Sequence, residues 1–290
     1  MKVGVIGGSG LYNIEGIDFI DERTVETPFG KTSDNIIYGK AGANEVFFMA
    51  RHGRNHSLLP HELNHHANIW AMKSLGVETI LSLSAVGSLR EDYKPLDFVL
   101  VDQYVDNSRR QGHSFFGQGA VAHVSMASPA CETVSRFVFE KASKSLKNVI
   151  IHPAGTYLNM EGPGFSTKAE SKMYRQLEMD IIGMTNFLEA KLAREAEICY
   201  LTIAMVTDFD CWHPKHADVT VEQVMSNLNE NSSKARELLK IILPALKSDC
   251  HMGCRHSLKQ GLMTPVEAIP ADTFKKLKPI LEKYQNQAEQ

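Results

Sequence analysis

The stretch Thr207-Asp208-Phe209-Asp210-Cys211-Trp212 sets two carboxylates one residue apart, directly after the apolar run 198–206. That run has the length and β-branched character of a strand. The pair therefore sits at the end of a buried strand, where an unpartnered charge is costly and where ligands of α/β proteins bind. A simpler account makes Asp208 a helix cap and leaves Asp210 solvated. With neither a periodic helix nor a Gly/Pro turn directly after them, the stronger account is a pair of acceptors facing a polar ligand edge.

Other candidate groups also follow strands. Gly7-Gly8-Ser9-Gly10 comes after the short apolar strand 3–6, and glycines there let backbone N–H groups approach an anion while Ser9 adds a hydroxyl. The Rossmann spacing fails because Asn13 stands at the third glycine position, and no Gly-Lys-Ser/Thr follows to make a Walker loop. Strand 45–50 runs into Arg51-His52-Gly53-Arg54-Asn55-His56, which offers a planar fork for phosphate oxygens and an imidazole to share a proton. A solvated basic loop is the plainer alternative. Ser84-Ala85-Val86-Gly87-Ser88-Leu89 reads as a small-residue loop after strand 79–84, and Thr185-Asn186 opens a helix to 196, another anion-friendly end. After strand 149–157, Gly162-Pro163-Gly164 forces an irregular backbone that presents Phe165 and Ser166. A phenyl ring beside hydroxyls suits a flat heteroaromatic ring, although Ser166 or Thr167 with Glu170 also makes a capping box for helix 167–177.

Metal-ligating patterns are weaker. His61 and His65 have HxxxH spacing without an HExxH order or an evident acidic third ligand, so surface histidines are expected at 61, 65 and 66. Cys250 and Cys254 with His251 and His256 could bind a metal or close a strained local disulfide. Lacking a second ligand pair nearby, they are expected as free thiols. Cys131 and Cys199 could be close in space, but a disulfide between them does not follow from sequence.

These groups must be held by a chain of 290 residues that is 43% hydrophobic, enough to bury a full core. The formal charge of −3 gives no basic footprint for nucleic acid and no membrane patch. No apolar run reaches the roughly 20 residues needed to span a bilayer. The first residues lack the pattern of a signal peptide, and five scattered cysteines do not make a secreted disulfide framework. A cytoplasmic protein acting on small molecules is expected. Strands alternate with helices: a hairpin pair at 36–38 and 45–50, a helix at 60–76, strands at 79–84 and 96–101, a loop-rich 105–125, a helix at 128–145, and a long amphipathic helix at 221–246. The pattern predicts an α/β fold, a three-layer sandwich with a mixed central β-sheet over 1–246, and an extension over 247–290 packed on or beside it. The anion groups, the aromatic platform and the paired carboxylates together describe a site for phosphate and a purine with a sugar between them.

The motifs Gly-Gly-Ser-Gly-Leu, Thr27-Pro28-Phe29-Gly30, Ala50-Arg51-His52-Gly53-Arg54, Glu161-Gly162-Pro163 through Ala169-Glu170-Ser171, and Met205 through Trp212 stand in one order. In that order the chain resembles the 5′-methylthioadenosine phosphorylases, in the trimeric branch of the purine nucleoside phosphorylases, over about residues 1–246. The tail resembles extensions of some prokaryotic members. The resemblance implies a purine nucleoside phosphorylase-like fold and phosphate contacts from Ser9, Arg51, His52, Ser84, Ala85 and Thr185. It implies base contacts from Phe165, Ser166, Thr207, Asp208 and Asp210, with Met184 against the ribose. Val219, Val221 and Met225 would line the 5′-substituent pocket, with His56 and His123 at a subunit interface beside it. Ser9 and Ser84 stand where threonine is common in eukaryotic members, and Gly183 replaces a larger polar residue. A homotrimer is implied, with hexamers in some prokaryotic members.

The implied chemistry is phosphorolysis of S-methyl-5′-thioadenosine, with Asp208 as the catalytic acid, phosphate as co-substrate and no metal or cofactor. Asp210 would favour a 6-aminopurine. Alternatives are a methylthioinosine or broad purine nucleoside phosphorylase on the same fold and a non-catalytic nucleoside-binding protein. A dinucleotide-dependent oxidoreductase is disfavoured by the failed glycine spacing.

Overall fold

The computed structural model describes residues 1–11, 14–109, 112–214, 221–247 and 249–285, with the backbone alone at Ser9 and 221–224. The chain begins with β1 (Lys2–Gly7), β2 (Asp18–Arg23), β3 (Ile36–Ala41), β4 (Asn44–Ala50), α1 (His65–Ser74) and β5 (Thr79–Ser88). Next come β6 (Phe98–Leu100), β7 (Gln103–Asp106), α2 (Glu132–Ser145), β8 (Ile151–His152), β9 (Thr156–Asn159), α3 (Lys168–Gln176) and β10 (Ile181–Gly183). The last described elements are α4 (Asn186–Glu195), β11 (Cys199–Asp208), α5 (Val221–Ile242) and α6 (Ala271–Gln285).

The strands form one mixed sheet. Its centre is parallel, with β4, β1, β5 and β11 side by side. Antiparallel β3 and β2 extend it beyond β4, and β6 pairs antiparallel with β11. Side chains alternate between two apolar layers, as a sheet covered on both faces requires. Val3, Val5, Leu81, Leu201 and Ile203 face α2 and α5, while Ile6, Phe47, Ile80 and Tyr200 face α1, α4 and α6. This is the expected three-layer α/β sandwich.

A split in the sheet positions the site. β1 pairs with β5 only from Thr79 to Ser82, and β10 takes over the same edge only at Gly87 and Ser88. Among the described residues no strand covers 83–86 on that edge, while β11 runs along the other. The split leaves backbone groups of β5 facing a gap.

Several expectations are corrected. The 84–89 segment is not a loop: it stays in β5 through Ser88 because β11 and β10 both pair with it. The charged segment 18–23, unassigned from sequence, is β2, an edge strand with mostly exposed side chains. The 60–76 helix is divided into a 3₁₀ turn at Pro60–Glu62 and α1, with Asn64 capping the Ala67 amide at 3.0 Å. Pro153 and Gly155 separate β8 from β9 within the 149–157 strand. His65 is buried rather than a surface histidine, with Nδ1 at 3.9 Å from Glu189, and His66 is half-buried against the Ser114 carbonyl. Thr167 and Glu170 do form the capping box at α3.

The residues after 246 pack on the sandwich. Leu277, Ile280 and Leu281 of α6 join the core layer of α1 and α4, and Trp70 donates to the Lys276 carbonyl at 2.9 Å. The His123 amide donates to the Gly261 carbonyl at 2.7 Å.

Candidate active site

The strand β11 carries the carboxylate pair to the edge of the sheet. Its last residues are held from the helix side, where Asn231 Nδ2 donates to the Val206 carbonyl at 2.9 Å and Asn227 Nδ2 to the Thr207 carbonyl at 2.7 Å. The pairing with β5 slips between Val206 and Asp208, setting Asp208 opposite Gly87. A Cβ on Gly87 would lie 3.0 Å from Asp208 Oδ1 and 3.5 Å from the Asp210 Cβ, so the absence of a side chain there makes room for both acids. Trp212 closes the turn by donating from Nε1 to the Ser88 carbonyl at 2.7 Å, with the Arg175 guanidinium over its ring at 3.6 Å.

The two acids are coupled through the backbone. Asp208 Oδ1 accepts the Asp210 amide at 2.8 Å, and Oδ2 accepts the Thr207 hydroxyl at 2.7 Å. Asp210 has φ 51°, a left-handed conformation that turns its amide back toward Asp208. Burial pushes the Asp208 carboxyl up, against the Thr207 and Asp210 donors that pull it down. Burial also pushes Asp210 up, with Ser171 and Ser166 pulling it back. Cys211 Sγ donates to the Ser166 carbonyl at 3.3 Å, which ties the turn to the Gly-Pro-Gly segment. Phe165, beside it, is 53% exposed. Met184 packs against Gly162.

The anion-binding candidates converge on the split in the sheet. The Arg51 amide donates to the Gly7 carbonyl at 2.8 Å, fixing the ends of β4 and β1 together. The Arg51 guanidinium turns inward: Nε reaches Glu189 Oε1 at 2.6 Å and Nη2 reaches Oε2 at 3.2 Å. Its Nη2 also reaches Ser82 Oγ at 2.6 Å, and Nη1 reaches the Leu83 carbonyl at 2.8 Å. Four of the donor directions of the fork are thus taken by the protein. Burial alone would raise Glu189, but the charge and hydrogen bonds of Arg51 hold it below the usual carboxylate value. Because Leu83 presents its carbonyl to the gap, strand alternation turns the Ala85 amide to the same side. Asn186 continues the network, donating from Nδ2 to Ser82 Oγ at 2.8 Å and accepting the Thr185 hydroxyl at 2.9 Å. The Thr185 amide donates to the Tyr157 hydroxyl at 3.3 Å, which also stands against Ser84.

His52 is locked as one tautomer. Its Nδ1 lies 2.8 Å from the Leu58 carbonyl, which can only accept, so Nδ1 carries the proton and Nε2 keeps a lone pair. Burial lowers its pKa to about 4, helped by the Arg51 charge. His56 stacks on it at 4.7 Å.

The structure therefore brings Arg51, Ser84, Ala85 and Thr185 to one gap, and Ser166, Thr207, Asp208 and Asp210 to one turn. Met225 lies on α5 and is 48% exposed. His123 stands on a segment that pairs with Gly261 and Leu262, in the tail. The side chains of Ser9 and Val221, and all of Val219, lie outside the described residues. Concavities of about 300 and 540 Å³ open beside Phe29 and Glu161, and neither is lined by Asp208 or Asp210. Sequence reading misses Ser82, Tyr157 and Glu189, and takes Gly87 and Asn186 only as parts of a loop and of a helix start. Of these Glu189 leaves a weak signal, a carboxylate between Leu188 and Ala190 in a helix that also carries Lys191, Arg194 and Glu195. Tyr157 also accounts for Gly183, since a Cβ there would run into its hydroxyl.

Residues 2–244 match the model of the phosphorylase superfamily. The chain is 48% identical to an S-methyl-5′-thioadenosine phosphorylase of Koribacter versatilis, covering 98% of this chain and 96% of that protein. It is 49% identical to one of Gloeobacter violaceus, over 98% and 96%. The crystal structure of a methylthioadenosine phosphorylase from an antarctic soil metagenomic library superposes with a TM-score of 0.91 at 45% identity, covering 96% of this chain and 98% of that one. A methylthioadenosine phosphorylase from Schistosoma mansoni in complex with adenine gives 0.82 at 33% identity, over 91% and 99%.

The His52 geometry makes a prediction. Between pH 6.5, where a free imidazole titrates, and about 4, the unfolded chain binds a proton at this position that the folded chain refuses. This contribution to stability is therefore complete above the upper limit and falls as the pH drops through that window. An NMR titration of the histidine rings should find His52 neutral down to about pH 4; a midpoint near 6.5 for that ring would contradict the lowering by burial.

Proposed function

The chain belongs to the phosphorylase superfamily, with S-methyl-5′-thioadenosine phosphorylases as its relatives over nearly its whole length, and we propose that it is an enzyme of that activity. It transfers the methylthioribosyl group of S-methyl-5′-thioadenosine to inorganic phosphate, releasing adenine and 5-methylthioribose 1-phosphate. The observation that carries the reading within the site is the coupled carboxylate pair at the end of β11, in which burial pushes the Asp208 carboxyl toward the protonated state while Ser166 and Ser171 work against it at Asp210.

In the reaction the N-glycosidic bond breaks and a bond forms between the anomeric carbon and a phosphate oxygen. Asp208 gives its proton to N7 of the departing purine, and the proton released by the attacking phosphate restores the balance. A carboxyl whose pKa is raised by burial suits this general-acid role. Phosphate is held in the sheet gap by the Ser9 and Ser84 hydroxyls, the Ala85 amide and His52, and by the Thr185 hydroxyl once it turns from Asn186, with Arg51 fixing the walls and supplying its remaining N–H. Neutral His52 accepts from a protonated phosphate oxygen through Nε2. Because Glu189 already balances Arg51, the phosphate keeps much of its charge to offset the positive charge at the anomeric carbon.

Phe165 stacks on the base, Ser166 and Thr207 help to hold it, and Met184 lies against the ribose. In its ionised form, which the Ser166 and Ser171 hydroxyls favour against burial, Asp210 accepts from the exocyclic amino group of a 6-aminopurine, and a 6-keto oxygen would meet that form lone pair to lone pair. Val219, Val221 and Met225 form the apolar seat of the 5′-methylthio group. His56 and His123 complete it across a subunit boundary of a homotrimer, which the exposure of Phe165 and Met225 in the single chain supports. We place this trimer in the cytoplasm; none of the described helices is long and apolar enough to cross a membrane.

Three outcomes test the reading. Asp208→Ala should lower turnover by at least about 10²–10⁴-fold while leaving phosphate affinity by calorimetry nearly unchanged; full activity in this variant would remove Asp208 from the chemistry. Methylthioadenosine should be cleaved faster than methylthioinosine, and Asp210→Asn, whose amide can donate to a keto oxygen, should shrink that ratio, within a range of up to about 10⁴ for a site reading hydrogen bonds. A ratio unmoved by Asp210→Asn would assign base choice elsewhere. Light scattering should give the mass of three chains, and a fully active monomer would refute the shared 5′ pocket.

A further inference from the structure

Far from the carboxylate pair, four cysteines meet at the other end of β11. Cys199 begins that strand, Cys131 is the N-cap of α2, and Cys250 and Cys254 come from the tail. Their sulfurs all lie within 4.8 Å of one another, with Cys131 and Cys250 at 3.6 Å. Cys131, Cys199 and Cys254 are buried, Cys250 is half-buried, and all four are free thiols. The second ligand pair that the tail lacks in sequence is therefore supplied by the fold.

We propose that these four thiols form a structural site for one zinc ion, which clamps the tail to the sandwich. A tetrahedral Zn–S₄ centre with bonds of about 2.3 Å has sulfur–sulfur edges of about 3.8 Å. The Cys131–Cys250 spacing of 3.6 Å and the upper limit of 4.8 Å for all the pairs lie on either side of that value, so metal entry asks for shifts of about 1 Å or less. The same spacing is too small for an iron–sulfur cluster to sit among the sulfurs. A pair of disulfides would need each bonded pair to close to about 2.05 Å.

The spacing Cys250-His251-Met252-Gly253-Cys254 falls in the range used by tetrahedral zinc sites. Gly253 has φ 69°, the left-handed turn that brings the second thiol back onto the first. The charge of the centre is also met. Binding releases the four thiol protons to solvent and leaves a net charge of −2 on Zn(Cys)₄. The Cys131 end of α2 offers the positive end of a helix dipole. Buried Arg194 is tied beside the cluster, donating to the Ser128 carbonyl while its own carbonyl accepts Ser257 Oγ at 2.6 Å. Its guanidinium charge acts on the Cys254 sulfur.

The site is independent of the proposed reaction. β11 is a 10-residue strand, so the cluster and Asp208 are separated by about 30 Å at roughly 3.3 Å per residue. The test is metal content. Full-length protein, purified without a histidine tag under reducing conditions, should carry one zinc per chain by plasma mass spectrometry. After removal with a mercurial and refilling with Co²⁺, it should show the visible bands of tetrahedral tetrathiolate cobalt. Cys254→Ser and Cys199→Ser should each lose the zinc, while Cys211→Ser, outside the cluster, should keep it. Should the serine variants fail to fold, the cobalt spectrum of the unaltered chain still decides. Wild-type protein that takes up neither Zn²⁺ nor Co²⁺ while all its thiols titrate would overturn the proposal. So would an intact mass two hydrogens lower for each disulfide formed within the cluster.

Discussion

The buried pair of Arg51 and Glu189 is the constraint around which the rest of the site is built. A guanidinium and a carboxylate taken from water cost several kcal/mol each, and the pair survives only when further hydrogen bonds complete both partners. Here Ser82, the Leu83 carbonyl and the Tyr200 hydroxyl do so, joining β4, β5, α4 and β11 in one polar knot inside an apolar sandwich. The knot fixes α4, and with it Thr185 and Asn186, against the split edge of β5. Among the described residues, the split edge in turn leaves the Ala85 amide without a strand to pair with. The sheet is thereby prevented from closing at the place where the proposed reaction needs an anion.

This arrangement separates the charges in a useful way. The cation nearest the gap is matched by its own carboxylate, and the histidine at the rim is kept neutral by burial. In the proposed reaction the phosphate is then held mostly by dipoles, which orient it without cancelling its charge. At the other side of the sugar, the acids of the 208–210 turn are pushed toward protonation by the same burial. Low dielectric thus acts in opposite senses on imidazole and carboxyl. For the proposed reaction the same burial prepares an acid on the base side and a neutral acceptor on the phosphate side.

The candidate ligand-facing residues are legible in the sequence because they are polar residues directly after apolar strands, a pattern packing does not explain. Asp208, Asp210, Arg51 and Thr185 all stand out that way, and the alternation of strands and helices is enough for the three-layer fold. What escapes is whatever depends on pairing at a distance. Ser84 and Gly87 read as loop because small residues do not look like strand, yet β11 and β10 hold them in one. The inward direction of the Arg51 fork follows from Glu189, which is 138 residues away. Gly183 reads as a lost contact, whereas Tyr157 fills the space a side chain would take. His65 reads as surface and is buried where α1 and α4 come together. The tail cysteines lack partners for the same reason, since Cys131 and Cys199 meet them only after folding.

The positive φ of Asp210 is the point where strain and chemistry meet. A non-glycine residue in the left-handed region costs on the order of 1–3 kcal/mol, although aspartate tolerates it better than most. Glycine would relieve that cost and keep the amide that hydrogen-bonds Asp208, so local conformation alone does not call for an acid here. An acid in this conformation places its own carboxyl beside the Ser166 side of the turn while its amide points back at the Asp208 oxygen. The residue proposed to read the base is thereby joined rigidly to the one proposed to protonate it. A base seated wrongly against Asp210 would then be misplaced at Asp208 as well, so that recognition of the amino group and proton delivery to N7 stand or fall together.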